Sequence, residues 1–507
     1  MHGDAVIRHQ IYSLCPQRLP FSQPQSDIVP DSLRDTLEAH RASNRARLIR
    51  KIYPRSPAPG LFRPDLPPEN WAGYQPPVAL SSSHDAPRPE SKRRARRRRH
   101  EAAILQSTQK PKPLDLVRRA DFPHYGTPPN LPWLSYLPRS AVAGDASMYL
   151  DAELQALSRY LAPSQHEQDQ IHRIIGQVGA LIERVVPYSP QLIGPHRTGL
   201  ALAHSNVSLL LRYDDVPRSL DNSRRPSATR PQIKEAHMNL LRRVESALQA
   251  TELFNGLVKL QGKRRPFLEA RHQPTGLLLN FRCDEGVPVL TEYLQGYSEE
   301  YPALRPLYTA ARTLLEAHSL FGDSHASIEP DALALLVVAF LKTTHGRFPG
   351  YSRLGDQFLG FLQLYGMEVN LSSVGVAADP PGFFSIKTLR TPPTKEVEPA
   401  HLRGQRSLIN AKHTAAVKGN RPASRRLCVQ DPSHYMNNLG RSCTRVVEMQ
   451  RVFAKAHERL VESLGDWDSQ PKKESILKDG LHANFAELER FRRRMILSAH
   501  HAEGSYV

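Results

Sequence analysis

Residue types suited to metal or acid–base chemistry are plentiful in this chain, which holds 22 histidines, four cysteines and 50 Asp and Glu. Their spacing decides what they can do. Cys15, Cys283, Cys428 and Cys443 lie far apart or in no paired metal-ligand arrangement, which supports neither a disulfide framework nor a zinc site. His166, His172, His196, His204, His237 and His272 show neither H-x-x-x-H nor H-E-x-x-H, so they do not put two imidazoles on one helix face as a zinc enzyme would need. The G-x-S-x-G nucleophile elbow and the glycine-rich phosphate loop are both missing. Hydrolase and nucleotide-triphosphatase readings therefore have no support.

Positive charge is the chemistry that remains. There are 68 Lys and Arg against 50 Asp and Glu, a net charge of +18, which favours a polyanionic partner such as RNA. Seven cations fall within residues 92–99 (KRRARRRR), a run suited to nuclear import or to a nucleic-acid arm. A second group, Lys259, Lys263, Arg264, Arg265, Arg271 and His272, flanks two strand-like runs and could track a phosphate backbone without reading bases.

Stepping along the chain, residues 1–130 contain 19 of the 43 prolines and little periodicity, and read as a disordered basic tail. No secretory signal is recognisable there. An arginine-rich stretch at 41–55 is compatible with a mitochondrial presequence, so nucleus and mitochondrion are both open. From Leu131 helical periodicity begins, and Ser164 with Glu167 forms an S-x-x-E capping box ahead of Ile171, Ile174, Ile175, Val178, Leu181, Ile182 and Val185. Short apolar runs at 191–194, 208–213, 257–260 and 276–283 read as strands, with a helix at about 231–250 between them. Residues 287–365 read as helical, 370–425 as a long basic insertion or loop, and 427–465 as an ordered piece closed by a helix. The longest apolar run, 332–341 (ALALLVVAFL), is about half of what a membrane-spanning helix needs, so no membrane partner is expected.

Several strings in this order resemble the noncanonical poly(A) RNA polymerases, terminal nucleotidyltransferases of the polymerase-β superfamily. The likeness covers about 131–365 and 427–465. It begins with PW at 132–133 and APSQHE at 162–167, and continues in IGPHRTGLALAHSNVSLLLR at 193–212, where Gly194, Thr198, Gly199, Leu200, Ser205 and Leu209 fit the family frame. It ends in LCVQDPSHYMNNLGRS at 427–442, which matches the family's D-P-x-x-x-x-N-[ND]-x-G-R-S string near the C-terminus. The resemblance implies an α+β fold: a nucleotidyltransferase palm over 131–286, then a helical central domain over 287–465 carrying the 370–425 insertion. A C-terminal helical tail would occupy 466–507.

The resemblance also implies where chemistry should be, and this chain departs from it there. Asn206 and Ser208 stand where the family has its two metal-binding aspartates, Asn280 where it has the third, and Pro195 where it has a phosphate-binding serine. The family's base-stacking tyrosine has no evident substitute in 324–333 (SHASIEPDAL). By the same likeness Gly194, Ser205, Arg312, Asn437, Asn438 and Arg441 are expected to bind nucleotide, and Lys263, Arg264, Arg265 and Arg271 to bind RNA. Two-metal nucleotidyl transfer needs carboxylates holding two cations about 3.5 to 4 Å apart. Neutral Asn and Ser do not supply that charge. A few kcal/mol per lost ligand exceeds the roughly 1.4 kcal/mol that makes a tenfold change in rate.

The expectation is therefore a catalytically inactive RNA-processing protein that binds RNA, ATP or another nucleotide, or an RNA-processing complex, with no resident cofactor. The alternative is an active polynucleotide adenylyltransferase using Mg²⁺ or Mn²⁺ held by displaced carboxylates. Asp214, Asp215, Glu269, Asp284 and Glu285 are the candidates, all read as surface carboxylates at strand ends. Asp214 lies eight residues beyond Asn206, about 26 Å along an extended strand.

Overall fold

A computed structural model of the chain describes residues 116–119, 131–138, 145–212, 230–262, 266–284, 287–322, 326–344, 353–386, 398–467 and 475–503. The basic run at 92–99 and the rest of the expected tail up to 115 lie outside the described residues. So do Asp214, Asp215, Lys263, Arg264, Arg265 and Glu285.

A five-stranded sheet in the order β2-β3-β6-β5-β4 forms the palm, from β2 (Gln191–Ile193), β3 (Val207–Arg212), β4 (Val258–Gln261), β5 (Phe267–Arg271) and β6 (Leu278–Asp284). Only β3 and β6 run parallel. Alternation along these strands sends Val207, Leu209, Leu211, Leu268, Ala270, Leu279 and Phe281 to one face, where each is buried. Helix α4 (Arg230–Gln249) lies along β4, β5 and β6 on the palm, contributing buried Leu240, Leu241, Val244 and Leu248. Helix α2 (Gln165–Ile182) packs on α4 in turn. Its start is the expected capping box: Ser164 Oγ accepts from the Glu167 N–H at 3.3 Å and Glu167 Oε2 accepts from the Ser164 N–H at 2.7 Å. The other sheet face keeps its polar side chains and carries the site. Strand β5 was missing from the four apolar runs because Glu269 and Arg271 interrupt its hydrophobic pattern.

The helical region is built from α5 (Val289–Glu300), α6 (Leu304–Ala317), α7 (Pro330–Thr343), α8 (Leu354–Gln363) and α11 (Val446–Trp467). Helix α7 is buried all round from Ala332 to Leu341, as a helix without a polar face must be. Phe340, Phe361, Tyr365 and Phe453 pack edge to face beside it.

Three sequence expectations change. Helix α1 (Ala146–Leu161), assigned to the palm, packs against α6 and α8, and Asp151 accepts the Gly355 N–H at 2.6 Å. The 370–425 segment is not a loop. It contains β7 (Val374–Ala378) and β8 (Pro381–Ser385), which form a sheet with β9 (Val429–Gln430), and then α9 (Ala400–Val417) and the short α10 (Arg421–Ser424). Ala377, Phe384, Ile386, Leu408, Ile409 and Cys428 close a small core between them. Finally, β1 (Arg118–Arg119) falls inside the expected tail yet pairs with β10 (Ala483–Asn484), with Val117 buried beside it. Two residues that gain order only from a strand some 365 positions away leave no local signal. The C-terminal α13 (Ala486–Glu503) also packs on the palm, where Arg492 grips Glu167 at 2.8 Å.

Candidate functional site

The turn between β2 and β3 sets the site's edge. Gly194 ends β2 at φ +69°, a backbone that L side chains rarely adopt, and the one-turn helix α3 (Pro195–Thr198) follows. The chain then loops back to Ser205, whose Oγ accepts from the Leu202 N–H at 2.9 Å and from Arg312 Nη1 at 2.7 Å. Arg312, on α6, is 4% exposed. Its Nε donates to Glu316 at 2.8 Å, and its guanidinium lies 4.7 Å from the centre of the Phe321 ring. His204 meets the same carboxylate at 2.8 Å. Burial alone would raise the Glu316 carboxyl, but the Arg312 guanidinium and then His204 outweigh it and hold the group at about 2.

Ser205 and Arg312 thus come together, as a joint between palm and helical region, whereas Gly194 lies against Ser208. The guanidinium that the resemblance assigned to a nucleotide phosphate is turned inward and already satisfied by Ser205 and Glu316. Sequence reading missed His204, Glu316 and Phe321. The Arg312–Glu316 spacing of four on a helix was the available signal.

Beyond Ser205, Asn206 directly precedes β3, and β3 carries Ser208 to the polar face. Register places Ser208 directly beside Asn280 of β6, Asn280 beside Glu269 of β5, and Glu269 beside Lys259 of β4. Asn280 is 3% exposed, whereas Asn206, Ser208 and Glu269 are half-buried. Ser208 and Asn280, two of the positions where the resemblance expects aspartates, are therefore neighbours, with the third, Asn206, just ahead of β3. Glu269 corrects the strand-end reading: it stands in the row itself, because β5 pairs antiparallel with β6. Asp284 shares the face but lies four residues beyond Asn280, about 13 Å away along the strand, where it is in register with Arg212.

Two divalent cations do not fit this donor set. An amide, a hydroxyl, a second amide and one carboxylate offer a single formal negative charge. Among the described residues no group of three or more His, Cys, Asp or Glu could hold a metal ion.

Cations outnumber the single carboxylate of this row. Arg282 sits one pleat beyond Asn280, in register with Leu210 and Phe267, and is exposed. Arg271 is in register with Leu278 on the near side, and exposed Lys259 closes the row.

The other expected nucleotide residues form a separate loop after β9. Asp431 accepts from the Ser433 N–H at 2.9 Å and from Asn437 Nδ2 at 2.8 Å. Asn438 Oδ1 accepts from the Val429 and Gly440 N–H groups at 3.0 and 2.9 Å, and its Nδ2 donates to the Leu427 carbonyl at 2.9 Å. A Cβ on Gly440 would lie 2.8 Å from Leu427, so glycine is required there by close approach. Arg441 alone of the three candidates is exposed. The loop reaches the palm joint through the 321–328 segment, since Ala326 bridges Cys443 and Phe321 bridges Ile328.

A mixed five-stranded sheet helical on one face, joined to a helical region through the turn after its first strand, defines a nucleotidyltransferase fold of the polymerase-β type. A solved structure of the polymerase core of TRAMP, an RNA surveillance complex, superposes with a TM-score of 0.53 at 18% identity, covering 70% of this chain and 99% of that one. In sequence the chain is 26% identical over 187 residues to poly(A) RNA polymerase cid14 of Schizosaccharomyces pombe, which covers 36% of this chain and 24% of the relative. It is 23% identical over 205 residues to poly(A) RNA polymerase protein 1 of Eremothecium gossypii, 39% of this chain and 29% of that protein. No family model matches. The chain is thus similar to noncanonical poly(A) RNA polymerases in part of its sequence, and the matched stretch spans about a quarter of the length of these relatives.

Proposed function

We propose that this protein binds RNA in an RNA-processing setting through a palm that no longer transfers nucleotides. The observation that carries the reading is the row Ser208–Asn280–Glu269–Lys259 with Arg271 and Arg282 at its flanks. Where metal-dependent transfer needs several anionic oxygens to gather dications, this row sets a single carboxylate, Glu269, among Lys259, Arg271 and Arg282, and the excess of cations attracts phosphate directly. ATP or another nucleotide could be held the same way, metal-free, by its phosphates. The compartment proposed is the nucleus or the mitochondrion, resting on the arginine-rich runs at 92–99 and 41–55.

The test is extension of labelled oligo(A) RNA by the full chain with ATP and Mg²⁺ or Mn²⁺, beside an Asn206→Asp, Ser208→Asp, Asn280→Asp triple variant. No extension by the unaltered chain, with RNA still bound, is the expected result. Extension by the unaltered chain sinks the reading. One observation favours a second reading, an adenylyltransferase with a rebuilt site: Glu269 is a carboxylate within the row. That reading requires any extension to disappear in Glu269→Gln.

A further inference from the structure

From Pro399 to Gln430 the chain runs 32 residues without a single Asp or Glu, although it contains 50 of them, and carries seven Lys and Arg in that span. Arg403 and Arg406 engage Glu398 and Lys412 is buried, but the fold gathers three of the others. Gly419, at φ +69°, ends α9, and the Asn420 side chain accepts the Ala423 N–H at 3.2 Å to start α10 at once. Lys418, Arg421 and Arg425 are consequently displayed within eight residues, all exposed. Among the described residues none of the three has a carboxylate partner. Arg421 and Arg425 stand four apart on one helical turn, where like charges destabilise a helix.

The display is anchored. Lys412 is buried and its Nζ donates to the Arg426 carbonyl, while His413 Nε2 meets the Ile386 carbonyl at 2.9 Å, so neighbouring residues of α9 tie it to the chain just after α10 and to the chain just after β8. Two residues after Arg425, the Leu427 carbonyl accepts from Asn438 and Leu427 packs on Gly440. The cluster therefore adjoins the 431–442 loop, whose own exposed cation is Arg441.

We infer that Lys418, Arg421 and Arg425, none of them in the strings that carry the family resemblance, form with the adjoining Arg441 a second single-stranded RNA contact surface, separate from the palm face. The inference rests on the RNA-binding reading above. Held cations without counter-charges are suited to a repeating phosphate backbone, which offsets their mutual repulsion without reading sequence.

The experiment measures binding of a labelled single-stranded oligo(A) RNA by the full chain across a salt series. It compares wild type, a Lys418→Glu/Arg421→Glu/Arg425→Glu variant, and a Lys259→Gln/Arg271→Gln/Arg282→Gln palm variant. Phosphate contacts add in the logarithmic salt dependence at about 0.7 per contact, so losing three should flatten the slope by about 2 and weaken binding on the order of tenfold near physiological salt. The basic run at 92–99 contributes equally to all three proteins and cancels. The substituted α10 positions are exposed, so unchanged thermal unfolding is expected.

A flattened slope in the α10 variant supports the inference even if the palm variant binds like wild type, in which case the palm reading fails alone. A wild-type slope in the α10 variant with loss in the palm variant overturns the inference and leaves that reading intact. No RNA binding by wild type overturns both. Displacement of RNA from the α10 surface by poly-glutamate at equal charge would overturn RNA as its ligand in favour of an acidic protein.

Discussion

The palm row and the 431–442 loop occupy equivalent standing in the family pattern, since each is where the resemblance puts ligand-binding residues, yet they behave oppositely. The loop matches the pattern at Asp431, Asn437, Asn438 and Gly440, and the structure employs those residues to hold the loop together. The palm row departs at Asn206, Ser208 and Asn280, and the sheet forms regardless, because its stability resides in the opposite face of Val207, Leu209, Leu279 and Phe281. A family string can thus survive because it builds structure, so its presence is weak support for nucleotide binding. A lost string can leave the fold untouched when its residues lie on the face that does not hold the sheet together.

The joint at Glu316 should show the largest effect. Glu316→Gln leaves Arg312 buried beside a neutral partner and should cost on the order of 3–5 kcal/mol in denaturant unfolding at neutral pH. The same group predicts acid sensitivity. It titrates at about 2 in the folded chain against an ordinary 4.5, so its contribution is complete above 4.5 and is lost as pH falls toward 2. Wild type should therefore lose stability over that window more steeply than Glu316→Gln, and parallel acid profiles would show that the pair is not what joins palm to helices.

Next comes Asn438→Ala, which removes three hydrogen bonds and strands two N–H groups. It should cost on the order of 2–4 kcal/mol by the same measurement. Asn206→Ala should change stability by less than about 0.5 kcal/mol, because the side chain is half-buried on a face that does not hold the sheet. Comparable costs for the two asparagines would break the contrast between loop and palm.

Much of the fold was legible locally. The capping box at Ser164, the apolar stripe of α2, the continuous apolar run of α7 and the strands β3 and β6 depend on neighbouring residues alone. The α9 helix was not, because its 400–417 segment is basic with only Leu408 and Ile409 as a sustained apolar pair, and it gains order from Phe384 and Cys428 across the small sheet. Likewise β5, with alternate polar residues, is a strand only because β4 and β6 flank it.

The amino-acid sequence by itself determined which chemical groups could reach the site: two amides and a hydroxyl where metal transfer needs carboxylates, and an excess of cations nearby. Only the tertiary structure decided which of them meet. Glu269 stands beside Asn280 because of lateral strand register, and Arg312 is turned inward because Ser205, Glu316 and Phe321 converge on it from distant parts of the chain. Side-chain identity is local information, but adjacency and burial are set by contacts between residues far apart in sequence.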